Sequence, residues 1–257
     1  MDPIPATEHE AADRSRRTGA PLTLYGMSSP NVLKVMLLLE ELGLAYEFVA
    51  LDLIGGALHA PEFRALAPHG KVPVLVEHRA GGDRAVFESG AILIDLAERH
   101  GAFIGSDADS RSQVIQWLMF QMSAAGPMFG QAIHFNFATK GDSYGRRRFT
   151  NELDRLLAVI EAQLGQSPFL AGTHYSIADM ALWPWIRTLK RFFPDRVAGP
   201  HVVAWFAGLA DRPATRRAIE RIAPAQAADA QSMRSATPEQ LDRYFGRTAG
   251  GSSGRIG

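Results

Sequence analysis

One stretch near the amino end decides the fold, and it reads Leu22-Thr-Leu-Tyr-Gly-Met-Ser-Ser-Pro-Asn-Val-Leu-Lys-Val-Met-Leu-Leu-Leu-Glu-Glu-Leu42. Leu24 and Tyr25 belong to a short apolar segment that predicts a buried strand, and a turn follows it. Ser29 suits the N-cap of the next helix, because its hydroxyl oxygen can accept a hydrogen bond from an unpaired backbone N–H. Pro30 suits the first helical position, since it has no N–H to leave unpaired. The stretch therefore predicts a strand that leads into a well-capped helix.

The amino end of this helix is a favourable place for negative charge. The helix dipole gives that end a partial positive charge, and the first N–H groups have no partner inside the helix. An anion beside Ser29 and Asn31 would be stabilised by both effects. The stretch thus predicts an anion site, and other parts of the chain must identify the anion.

Composition excludes several classes of function. With 257 residues, 46% of them apolar, the chain is long enough for two modest domains. Lys plus Arg and Asp plus Glu both number 27, so no basic surplus favours nucleic acid or an anionic membrane. The apolar run 35–39 is too short for a membrane span, and residues 1–20 lack the apolar core of a signal peptide. We therefore expect a cytoplasmic protein without nucleic-acid or membrane partners.

The chain contains no cysteine. This excludes disulfide bonds, a CxxC redox pair, thiolate metal sites and a cysteine nucleophile. We expect no metal cofactor, and any thiol chemistry must use a thiol that a ligand brings.

The remainder of the first half predicts a mixed sheet with helices. Three further strands are predicted at residues 46–51, 71–77 and 86–87, and two further helices at 61–67 and 91–100. Pro73 cannot donate a ladder hydrogen bond, so it should lie at the entrance of its strand, on an edge or in an unusual geometry. A cis Val72–Pro73 peptide bond is one such geometry. We assign residues 21–103 to this α/β domain.

The second half predicts helices alone. They are expected at residues 112–133, 146–164, 176–192 and 201–210, within an all-helical domain at 108–224. Ser176 and Asp179 have the spacing of a capping box, which we interpret as a structural cap. Residues 1–20 are interpreted as an arm and 225–257 as a tail, which has at most a short helix near residues 238–245.

The ordered set of motifs resembles a known family. Ser29-Pro-Asn31, Lys71-Val-Pro73 and Phe87-Glu-Ser-Gly90, in this order of elements, resemble the cytosolic glutathione S-transferase superfamily over about residues 22–223. Gln116-Trp-Leu-Met-Phe-Gln121 and the stretch from Tyr175 to Trp185 resemble its Nu class, the glutathione-dependent disulfide-bond oxidoreductases. The resemblance implies a thioredoxin-like domain that binds glutathione as cosubstrate, an all-helical domain that shapes the acceptor pocket, and a homodimer.

The resemblance gives Ser29 and Asn31 a catalytic role on the glutathione thiolate. A cysteine-type thiol has a pKa of about 8.5, and lowering it by about two units requires roughly 2.7 kcal/mol of preference for the anion. The Ser29 hydroxyl, the Asn31 amide and the helix end are donors that together could supply this preference. The alternative is that Ser29 is only a cap and Asn31 a solvated residue. Which of the two contributes more stays open.

Further glutathione contacts follow from the resemblance. Ser89 and the adjacent N–H groups would bind the γ-glutamyl carboxylate, and Glu88 would bind the ammonium. The backbone of Val72, before Pro73, would pair with the cysteinyl backbone. Leu58 occupies a position where the family often has Gln or His for the glycyl carboxylate. The sequence leaves open whether His59 or Lys71 replaces that residue.

Other candidates lie in the helical half. Arg148 either binds a second glutathione or belongs to a solvated basic turn. Gln121 either reaches the glutathione of a partner subunit or is solvated. Four aromatic residues either wall the acceptor pocket or belong to the core, namely Phe129, His134, Phe135 and Tyr144.

We expect an enzyme that reduces small or mixed disulfides with glutathione. The same thiolate could instead attack an electrophilic carbon. The alternative from another class is a non-catalytic regulatory or binding protein that keeps the fold. The sequence does not identify the acceptor.

Overall fold

The computed structural model describes residues 20–52, 54–139 and 143–247. The predicted arm at 1–20, apart from residue 20, and the end of the tail at 248–257 lie outside the described residues.

The first half forms a four-stranded sheet. The strands are β1 (Leu22–Gly26), β2 (Glu47–Ala50), β3 (Val74–Glu77) and β4 (Arg84–Phe87), in the spatial order β2-β1-β3-β4. β1 is parallel to β2, whereas β3 is antiparallel to both β1 and β4. Leu24 on β1 lies opposite Phe48 on one side and Leu75 on the other. The predicted thioredoxin-like arrangement is confirmed.

The helices of this half are α1 (Pro30–Glu41), α2 (Pro61–Leu66) and α3 (Ser89–His100), with a 3-10 turn at Ala57–His59. Ser29 is the N-cap of α1, and its side chain accepts a hydrogen bond from the Val32 N–H at 3.3 Å. Pro30 is the first helical residue, as predicted. All side chains from Val32 to Leu39 are buried, so α1 lies inside the molecule rather than on its surface.

The strand entrance at Pro73 has one of the forms that the sequence left open. The Val72–Pro73 peptide bond is cis, and β3 begins at the next residue, Val74.

The helical half contains α4 (Ala108–Phe120), α5 (Gly126–Ile133), α6 (Tyr144–Leu164), α7 (Ile177–Phe192) and α8 (Pro200–Ala210), with π-helical segments Gln121–Ala125 and His134–Ala138 around α5. α4 begins four residues before the predicted start at residue 112, because Asp107 caps it in a capping box with Ser110. One apolar core cluster includes Leu37 of α1 and Trp183 of α7. The two halves therefore share a core.

The predicted tail is largely helical, which corrects the sequence expectation. α9 (Pro213–Ser235) runs through the expected boundary at residue 224, and α10 (Pro238–Tyr244) is the predicted short helix. Arg217 Nε binds Glu40 Oε2 at 2.8 Å, near the end of α1. Asp229 Oδ2 accepts from the Ser28 N–H at 2.7 Å, beside the start of α1. α9 is thus antiparallel to α1 and covers its length.

Within the described ranges, no helix has both the length and the apolar character needed to cross a membrane. The same ranges contain no cluster of three or more His, Cys, Asp or Glu side chains that could hold a metal ion.

Candidate active site

The start of α1 brings two predicted catalytic side chains together. Ser29 Oγ accepts the cap hydrogen bond from Val32, which leaves the hydroxyl proton available for another acceptor. Asn31 Oδ1 accepts a hydrogen bond from Trp185 Nε1 at 3.1 Å. An indole N–H only donates, so this contact fixes the amide oxygen and leaves the NH₂ group of Asn31 to bind an anion.

Trp185 was not predicted as a site residue. It lies 154 positions from Asn31, and only the fold brings α7 to the start of α1. Its place at the end of the motif from Tyr175 to Trp185 was the available signal.

A cavity of about 420 Å³ opens beside Ser29. Three elements form its walls: the turn and first residues of α1, one face of α7, and one face of α9. The lining residues are Ser28, Ser29, Pro30, Leu33, Pro184, Arg187, Thr188, Arg191, Phe192, Ile222, Gln226, Asp229, Ala230 and Met233. Its volume lies within the range of small-molecule pockets.

The four predicted acceptor-pocket residues do not line this cavity. Phe129 is a core residue with no exposed surface, and Tyr144 is 70% exposed. Phe135 stacks on Phe149 with ring centres 5.2 Å apart. His134 contacts the rings of Phe135 at 5.3 Å and Phe245 at 5.9 Å. The contacts of Phe129, His134 and Phe135 agree with the packing alternative, whereas the exposed Tyr144 belongs neither to the core nor to this cavity.

Glu88 and Ser89 lie where β4 leads into α3. Glu88 is the N-cap residue with a φ of 71°, a conformation that costs a non-glycine residue about 1–3 kcal/mol. Glu88 Oε1 forms an ion pair with His69 Nε2 at 3.0 Å if the histidine is protonated. Ser89 is 3% exposed. Backbone strain of this kind is often found at binding sites, which agrees with the predicted role of the pair.

A buried lysine lies beneath this junction and was not predicted. Lys34 Nζ donates to Gln121 Oε1 at 2.7 Å and to Ser89 Oγ at 3.5 Å. Burial lowers the pKa of Lys34 to about 7, and the negative charge of Glu88 opposes that shift. The sequence signal was a single lysine within the apolar run of α1.

Gln121 corrects one expectation. It is 1% exposed and accepts the Lys34 hydrogen bond. A side chain buried in this way does not extend to a partner subunit.

The remaining candidates are exposed or peripheral to the cavity. His59 and Lys71 are exposed near the sheet, and Leu58 packs against the apolar cluster that contains Phe63. A Cβ at Gly56, three residues before His59, would lie 3.8 Å from Arg243 Nη1 of α10. Arg148 is exposed on α6 and does not line the cavity.

Known families match both halves of the chain. The family described as "Glutathione S-transferase, N-terminal domain" matches residues 20–98, and "Glutathione S-transferase, C-terminal domain" matches residues 143–208. The chain therefore belongs to the glutathione S-transferase family, as its motifs indicated.

Particular relatives sharpen this placement. Disulfide-bond oxidoreductase YfcG of Escherichia coli is 39% identical over 202 residues, which are 77% of this chain and 94% of that protein. Disulfide-bond oxidoreductase YghU of the same organism is 36% identical over 211 residues, 77% of this chain and 73% of that protein. A solved glutathione transferase from Pseudomonas putida holds one glutathione disulfide per subunit. The two structures superpose with a TM-score of 0.74 at 36% identity, over 83% of this chain and 98% of the Pseudomonas putida chain.

Proposed function

We propose that this protein is a glutathione-dependent thiol-disulfide oxidoreductase. The observation that carries the proposal is the pair of donors Ser29 and Asn31 at the start of a buried helix, of which Ser29 lines a cavity of about 420 Å³. The Ser29 hydroxyl and the Asn31 amide would donate to the thiolate of bound glutathione, and the helix end adds positive potential. The absence of cysteine makes the ligand the source of the thiol.

The reaction has two exchange steps. The bound glutathione thiolate attacks one sulfur of the acceptor disulfide, which breaks the S–S bond and releases the other half as a thiolate. A second glutathione then attacks the mixed disulfide, releasing the remaining half as a thiol and forming glutathione disulfide. Attack of the same thiolate on an electrophilic carbon would give a conjugate instead.

The rest of glutathione is proposed to bind at the end of the sheet where β1 and β4 finish and β3 begins. Glu88 and Ser89 take its γ-glutamyl end, and the Val72 backbone before Pro73 pairs with its cysteinyl backbone. His59, Lys71 and Arg243 are candidates for the glycyl carboxylate. Arg148 remains a candidate for the second glutathione. We also propose a homodimer, which the family resemblance implies.

The relatives support this choice of chemistry. Two of them are named disulfide-bond oxidoreductases, and solved relatives contain glutathione or glutathione disulfide.

The test is turnover of hydroxyethyl disulfide with glutathione, compared with conjugation of an aryl halide. We expect disulfide reduction to dominate.

Asn31→Ala should lower kcat/KM at least about tenfold, because it removes a donor to the reacting sulfur. Ser29→Ala should lose activity and Ser29→Thr should keep it. Trp185→Phe should lower activity less than Asn31→Ala does, since it removes only the hydrogen bond that orients the Asn31 amide and keeps the amide itself.

Equal activity of Ser29→Ala and Ser29→Thr would mean that Ser29 acts only as the N-cap of α1. No turnover of either substrate, together with no glutathione binding by calorimetry, would contradict the enzyme and favour a non-catalytic binding role.

A further inference from the structure

The cavity beside Ser29 has an unusual charge distribution. Pro184, Arg187, Thr188 and Arg191 recur at the spacing of one helix face, and all four line the cavity. Two arginines therefore share its α7 wall. The opposite wall, from α9, contributes one acidic residue, Asp229.

Arg187 is half-buried and has no anionic partner within the described residues. Burial first, and then the positive charge of Arg191, lower the pKa of Arg187. A guanidinium carries five N–H donors and stays charged in proteins. Removing this charge from water beside another cation costs free energy unless an anion compensates for it.

The carboxylate of Asp229 is already engaged. Its Oδ2 accepts a hydrogen bond at 2.7 Å from the N–H of Ser28, which lies in the turn before α1. Arg191 packs its guanidinium 5.7 Å from the ring centre of Phe192. The donors of Arg187 are thus available to a ligand that enters from the cavity.

We propose that Arg187 and Arg191 select acceptor substrates that carry a carboxylate, an inference that rests on the proposed function. An arginine fork binds a carboxylate through two parallel hydrogen bonds, which orients as well as attracts it. A disulfide whose carboxylate is held by α7 would present its sulfur atoms toward the start of α1, because Ser29 lines the same cavity.

Three symmetrical disulfides with arms of matched length provide the test: dithiodipropionate, hydroxyethyl disulfide and cystamine, which carry carboxylates, hydroxyls and ammonium groups. Each rate is divided by the uncatalysed rate with glutathione, because charge also alters the intrinsic reaction. We expect the corrected kcat/KM to fall in that order, with about tenfold or more between dithiodipropionate and cystamine.

Variants of the two arginines test whether these side chains cause the order of the corrected kcat/KM values. Arg187→Gln and, separately, Arg191→Gln should lower the rate with dithiodipropionate about tenfold and that with hydroxyethyl disulfide less than about twofold. Arg187→Lys should retain part of the preference. Arg216→Gln removes the same charge from the surface of α9, where Arg216 forms an exposed ion pair with Asp211. This variant should leave the order of rates unchanged.

The outcomes separate the two proposals. Equal corrected rates with all three disulfides would contradict the selection of anionic acceptors but not the proposed function. An order of rates that both arginine variants leave unchanged would do the same. Turnover of none of them contradicts the proposed function, and this inference with it.

Discussion

Lys34 is the residue whose burial has the clearest consequence for stability. It is 1% exposed, and the contacts to its ammonium group come from Gln121, Ser89 and the sulfur of Met122. None of these three groups carries a negative charge. Burial lowers the pKa of Lys34 from its ordinary value of 10.5 to about 7, with Glu88 opposing the shift.

This shift predicts a pH-dependent stability. Below about pH 7 the lysine is charged in both states, so the folded state bears the full cost of burying the charge. Between that pH and 10.5 the unfolded chain binds more protons, so the folded state gains stability as the pH rises. The stability of Lys34→Met relative to wild type should therefore be highest near pH 6 and should decline toward about pH 9. Urea unfolding midpoints at both pH values measure the difference.

Lys190→Met is the matched control, because Lys190 of α7 is only partly buried and lies over the ring of Phe206 of α8. A constant difference between Lys34→Met and wild type across this range would contradict a depressed pKa. A pH-independent offset from the lost Gln121 hydrogen bond does not affect the slope.

At this scale, local chemistry was predictable and long-range contacts were not. Ser29 as a cap and Pro30 as the first helical residue follow from the properties of single residues and their neighbours, and the cis bond before Pro73 was one of the options that those properties left open. The contacts of Lys34 with Gln121 join residues 87 positions apart. No local pattern indicates such a pair, and the same holds for Asn31 with Trp185.

At the scale of elements, the capping box of α7 does more than begin a helix. Asp179 Oδ2 accepts from the Ser176 N–H and hydroxyl, each at 3.1 Å. Its Oδ1 accepts from the Leu170 N–H and from Trp205 Nε1, each at 3.0 Å. One buried carboxylate therefore joins α7 to the preceding loop and to α8.

Asp179→Ala should destabilise the protein by about 3 kcal/mol or more, because it removes the N3 carboxylate of the capping box and leaves buried donors without acceptors. Asp107→Ala removes the N-cap carboxylate of the α4 capping box, which is exposed, and should cost clearly less, because water can replace the lost acceptor. Chemical denaturation of both variants measures the two losses. Equal losses would mean that the contacts to Leu170 and Trp205 add nothing.

α9 is the element that the sequence did not predict. Its composition is rich in Ala and Arg, which favour helix, yet its apolar pattern is narrow and it contains Pro224. A narrow face of mainly small residues, with Ala218 and Ile222 in the shared core, packs α9 against the molecule, and exposed ion pairs such as that between Arg217 and Glu40 add to it. The cavity beside Ser29 was not predicted for the same reason, since one of its walls belongs to α9.

At the scale of the whole molecule, the order of strands and helices was predictable because alternating and helical apolar periods differ clearly. The assembly of the site was not. Ser29 and Asn31 come from the first half, whereas Trp185 and the arginine wall come from the second. The shared core that includes Leu37 and Trp183 fixes these halves to each other, so the candidate site is a property of the complete fold.

The measurement that tests the central claim most directly is the pH titration of the thiolate absorbance of glutathione bound to the protein. We predict a thiol pKa about two units below the free value of about 8.5, and a smaller depression in Asn31→Ala. A bound glutathione that titrates like free glutathione would contradict the stabilisation of a thiolate at the start of α1.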